Sequence, residues 1–110
     1  MKVQEVAPPP GIEKAMARVL PQVKEYLELE EAGFNPTDLK YTSYFVAEGS
    51  EAFMVFEYTA EDGPAFAFFQ YCLTPGRQRP GCIGSWPRTE GQTIAWSLAE
   101  YLRMNPPDDV

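Results

Sequence analysis

An α+β fold is predicted for this 110-residue chain by three observations. Apolar residues recur with a helical period from Ile12 to Ala32. β-Branched and aromatic runs, parted by short turns, fill the middle, and a second helical stripe runs from Ile94 to Leu102. The expected architecture is an N-terminal helix kinked or split at Pro21, an antiparallel β-meander of three to four strands, and a C-terminal helix, with the helices packed on the sheet. A hydrophobic content of 45% suffices for a real core and excludes a disordered acidic tail. One domain is expected over residues 11–105, between a flexible proline-rich arm, 1–10, and a C-terminal tail, 106–110.

The arm ends in Pro8-Pro9-Pro10, which favours extended chain and cannot enter a helix interior. Ile12, Ala15, Met16, Val19, Leu20, Val23, Tyr26, Leu27 and Ala32 then form one apolar stripe, with Glu13, Lys14, Arg18, Lys24, Glu25 and Glu28 on the other side. Pro21 interrupts the pattern from the polar side, and Gly33 supplies a left-handed stop. After Asn35-Pro36-Thr37-Asp38 the texture becomes that of strands, at Lys40 to Ala47, Ala52 to Thr59 and Ala65 to Leu73. Connections as short as Glu48-Gly49-Ser50-Glu51 and Glu61-Asp62-Gly63-Pro64 require hairpins. A shorter fourth strand is expected around Gly81 to Trp86. The last helix is expected from a capping box at Thr89-Glu90-Gly91-Gln92, with Ile94, Ala95, Leu98, Tyr101 and Leu102 as its buried stripe. Pro106-Pro107 ends it.

Both faces of the central strands are apolar. Ala52, Met54, Phe56 and Tyr58 share one face of the second strand, and Phe53, Val55, Glu57 and Thr59 the other. If the helices covered only one face, the second would offer an apolar patch to a partner or to a second copy in a homodimer. The competing expectation is that the two helices cover both faces.

Charge narrows the partner. With 16 acidic and 9 basic residues the chain carries −7, which argues against general nucleic-acid binding and favours a protein partner with a basic surface. The acidity is concentrated: residues 25–62 hold ten acids, including Glu48, Glu51, Glu61 and Asp62, against Lys40 alone, a net −9. Residues 75–88 hold Arg77, Arg79 and Arg88 and no acid. Arg77 and Arg79 sit in a stiff Pro75 to Gly81 loop that can present guanidinium groups to a carboxylate or phosphate. No apolar run approaches the ~18 residues that span a membrane, and the start lacks a signal-peptide core, so a cytoplasmic location is expected. Cys72 and Cys82 are then reduced; in an oxidising compartment they can close a disulfide across the intervening loop.

The chain has no histidine, which removes Ser-His-Asp and Cys-His nucleophile systems and histidine-containing zinc sites. No glycine-rich phosphate loop is present, and no metal or cofactor is implied. Carboxylate chemistry remains, with Glu57 between Phe56 and Tyr58 as its best residue. The leading expectation is a non-enzymatic protein that binds and inhibits or masks a protein partner, in the manner of an immunity protein, an antitoxin or a phage-encoded inhibitor. Tyr41, Tyr44, Tyr58, Trp86, Arg77, Arg79 and Arg88 supply the anchor types that interfaces use. The alternatives are a small-ligand-binding or enzymatic domain with an aromatic cavity around Glu57, and an assembly component of a larger particle.

The run from Ala52 through Gly63 to Gln70, followed by Pro80-Gly81-Cys82-Ile83-Gly84-Ser85, then Thr89 and a helix containing Ala95, Leu98 and Leu102, resembles the core of HicB-like antitoxins. The resemblance covers about half of the chain and implies the neutralising of a protein partner. The chain departs from that pattern in carrying a long helix and a further strand ahead of the core, and a longer hairpin loop.

Overall fold

A computed structural model describes residues 2–47, 51–71 and 83–104. Its elements are β1 (Val3–Glu5), α1 (Ile12–Glu30), a 3₁₀ turn (Pro36–Asp38), β2 (Lys40–Ala47), β3 (Glu51–Ala60), β4 (Gly63–Tyr71), β5 (Ile83–Pro87) and α2 (Ile94–Met104). The fold is α+β, as expected, but the antiparallel sheet has five strands in the order β1-β2-β3-β4-β5.

The fifth strand comes from the stretch expected to be a free arm. Val3, Gln4 and Glu5 pair with Ala47, Val46 and Phe45, and the Val6 N–H donates to the Tyr44 carbonyl at 3.1 Å. Its signal is not local. Val-Gln-Glu is too short to read as a strand, but β2 offers an edge of unpaired backbone groups, and Val3 and Val6 find apolar cover on opposite faces.

α1 buries Ala15, Val19, Val23 and Leu27, four residues spaced by one helical turn each. It runs through Pro21 without interruption, so the helix is not split there. The amide that proline lacks would have bonded to the Ala17 carbonyl, and both residues lie on the exposed side, where water can satisfy that oxygen. The helix ends before Ala32, with the Glu31 N–H bonded to the Leu27 carbonyl at 2.9 Å. Gly33 follows with φ +73°.

The expected capping box at Thr89 does not form. Thr89 and Gln92 close a backbone turn, and the cap is Thr93, whose Oγ1 accepts from the Trp96 N–H at 3.0 Å. α2 therefore starts at Ile94.

The helices lie on opposite faces of the sheet. Ala52, Met54, Phe56 and Tyr58 of β3 pack with Ala67 and Phe69 of β4 under α1. Phe53 and Val55, with Phe66 and Phe68, pack under Leu98 and Leu102 of α2. Every one of these side chains is buried. Both apolar faces are thus covered among the described residues, the second of the two expectations, which removes the basis for a homodimer through an open sheet face.

A bulge in β2 changes which tyrosines share a face. Tyr41 pairs with Phe56 and Ser43 with Val55, leaving Thr42 extra; its hydroxyl donates to the Val55 carbonyl at 3.1 Å. Tyr41 and Tyr44, three residues apart, therefore both face the α1 side.

Candidate functional site

The sequence-designated residues scatter. Tyr44 and Tyr58 are buried in the core under α1, and Tyr41 is half-buried there with its ring edge-on to Phe56 at 5.8 Å. The meander points all three at the helix rather than outward, and Tyr44 and Tyr58 are core packing residues. Trp86 is half-buried against the Tyr101 ring at 6.0 Å. Glu61, Asp62 and Arg88 are exposed. Glu51 opens β3 opposite Ala47. Glu48, Arg77, Arg79, Cys72 and Cys82, with the basic loop, the disulfide and the tail 106–110, lie outside the described residues.

Among the described residues, two surface grooves are lined by several charged side chains. The first, of about 380 Å³, gathers Glu30, Glu31, Glu61 and Asp62 beside Trp86 and Pro87. Two backbone contacts assemble it. The Glu61 N–H donates to the Ala32 carbonyl at 2.9 Å, tying the β3–β4 turn to the end of α1. Gly33 makes that approach feasible, since a Cβ there would stand 2.8 Å from the Glu61 nitrogen, and its φ of +73° disfavours any side chain. Four acidic residues thus line one groove at the negative end of a helix whose last turn holds no base. No ion pair among the described residues neutralises any of them.

Glu31 is oriented by the Tyr58 hydroxyl, which donates to its Oε1 at 3.0 Å. Burial, then the bond to Glu31 and its charge, push the Tyr58 phenol well above its ordinary pKa of 10.0. The consequence for stability has a definite sign. Below pH 10 the phenol is neutral folded and unfolded; above it the unfolded chain ionises first, so stability falls with rising pH until the folded phenol also ionises. Tyr58→Phe is expected to cost about 1 kcal/mol at neutral pH through the lost hydrogen bond. It should also make the alkaline limb of urea-unfolding stability shallower than in the parent. An unchanged slope above pH 10 would refute the assignment.

The second groove, of about 470 Å³, contains Glu57. It is not the aromatic enclosure expected from Phe56 and Tyr58. Phe56 points to the opposite face of the sheet, and the groove is lined by Thr37, Asp38, Lys40, Thr59 and Arg88, with Tyr58 its one aromatic. The Glu57 side chain is 30% exposed and meets Lys40 at 3.8 Å.

Glu30 and Glu31 were not marked by the sequence as binding residues, although the signal was present: acids closing a helix with no base in its last turn. Arg88 joins the sequence neighbours Asp38 and Lys40 only through the fold. Among the described residues no three acids or cysteines are grouped to hold a metal, and no helix is long and apolar enough to cross a membrane. The chain matches no protein-family model, no curated protein and no solved structure.

Proposed function

We propose that the protein is a non-enzymatic binding domain that captures a basic protein partner, inhibiting or masking it, through the acidic groove between the end of α1 and the β3–β4 turn. The observation that carries this reading is that Glu30, Glu31, Glu61 and Asp62 line one groove without a neutralising base among the described residues. Like charges held together by Gly33 and the Ala32–Glu61 bond repel one another in the free protein. A cationic partner relieves that repulsion, and a concentrated negative field speeds its encounter. Pro87 on the wall adds apolar surface beside the acids.

Charge reversal tests it. The double variant Glu61→Lys/Asp62→Lys should lower affinity for a partner recovered stoichiometrically from the native host by about a hundredfold, mostly through slower association at low salt. Glu13→Lys/Glu25→Lys, which alters net charge equally but away from the groove, should have a far smaller effect. Equal loss in both pairs would mean that only net charge matters and would reject the groove as the binding surface.

A further inference from the structure

The groove around Glu57 differs in kind from the acidic one. Two anions, Asp38 and Glu57, and two cations, Lys40 and Arg88, line it, so it is locally neutral on a chain of net charge −7. One pair is closed, Lys40 to Glu57, at the long distance of 3.8 Å. Arg88 and Asp38 have no ion-pair partner among the described residues.

Backbone contacts position the residues that carry these charges. The Arg88 N–H donates to the Pro64 carbonyl and the Asp38 N–H to the Asn35 carbonyl, each at 3.1 Å. Lys40 and Glu57 stand opposite one another in the β2–β3 register. Side chains mounted on strands and closed turns present a more defined geometry than those on open loops.

Such a lining selects for charge separation. A ligand of one sign meets as many like charges as opposite ones, whereas a ligand bearing both signs can satisfy an unpaired group at each end. Arg88 offers a fork suited to a carboxylate, and Asp38 an acceptor for an ammonium group. The volume of about 470 Å³ falls within the range of small-molecule sites. We propose that this groove binds a small zwitterion of the amino-acid or short-peptide class, its carboxylate on Arg88 and its ammonium on Asp38. None of the four charged residues lines the acidic groove, so this site and the capture of a basic partner stand or fall separately.

Titration of the full chain with dialanine, followed by amide ¹H–¹⁵N NMR, tests the proposal against N-acetyl-dialanine and dialanine amide, each lacking one charge. Saturable shifts at Asp38, Lys40, Glu57 and Arg88 are expected with dialanine. Affinity should be lower by about tenfold or more for either blocked analogue, as loss of one charged hydrogen bond implies. Arg88→Gln, with an otherwise parent-like spectrum showing that it folds, should abolish the difference between dialanine and its amide. Equal affinity for all three compounds, or no saturable shift with dialanine, overturns the proposal.

Discussion

Replacing Phe56 by alanine is expected to remove about 4 kcal/mol of folding stability. Phe56 is 0% exposed at the middle of β3, where the sheet meets α1, and its ring packs edge-on against Tyr41. Its register partners are Tyr41 on β2 and Ala67 on β4. The neighbouring strands are fixed by backbone pairing on both sides, so they cannot close onto the space a deleted ring leaves. The cost therefore includes a cavity as well as lost transfer energy. For a domain of this size, with a total stability of about 5–15 kcal/mol, such a loss brings the unfolded population within reach. Urea unfolding followed by circular dichroism measures it. Leu29→Ala, at a position 78% exposed on α1, should stay within about 0.5 kcal/mol of the parent. A Phe56→Ala cost below about 1 kcal/mol would show that the core under α1 is not packed as described.

Gly84→Val is expected to cost about 3 kcal/mol by overpacking, through the contact between α2 and the sheet. Gly84 is buried on β5, and the hydroxyl end of the Tyr101 side chain occupies the place a Cβ would take. The same ring lies 5.1 Å from Phe68 and 6.0 Å from Trp86. It thus spans the last two strands and covers the glycine with an aromatic surface. A side chain at position 84 must push Tyr101 out, and with it the C-terminal turn of α2. The near-ultraviolet signal of Trp86 should change while the far-ultraviolet spectrum largely persists. In a Tyr101→Ala background the valine should cost at least about 1 kcal/mol less, a coupling that a double-mutant cycle isolates. Additive costs would mean that the two residues do not meet.

The two helices and the central strands were legible because each rests on local periodicity. The four-residue spacing of Ala15, Val19, Val23 and Leu27 and the alternation through β3 are properties of neighbours in sequence, and β2 spans Lys40 to Ala47, the bounds its composition implied. Features that rest on contacts between distant residues were not legible. β1 is a strand because β2 has an edge to fill, not because Val-Gln-Glu favours one. Pro21 is tolerated because its missing amide faces water. The tyrosines looked like interface anchors for want of any local sign that α1 would cover them; a tyrosine in a strand is equally suited to either role.

The same division holds for the sites. By itself the sequence determined the α+β class, the two-sided apolarity of the central strands, the absence of histidine chemistry and the concentration of acid over residues 25–62. Composition and short-range pattern suffice for these, since they depend on which residues are present and which face each takes. The tertiary structure alone decided that both sheet faces are covered and that the acids of a helix end meet those of a hairpin 30 residues away. It likewise decided that Glu57 stands in a polar groove rather than an aromatic one. Those outcomes depend on which surfaces the chain brings together, set by strand register, by the bulge at Thr42 and by the close approach that Gly33 permits.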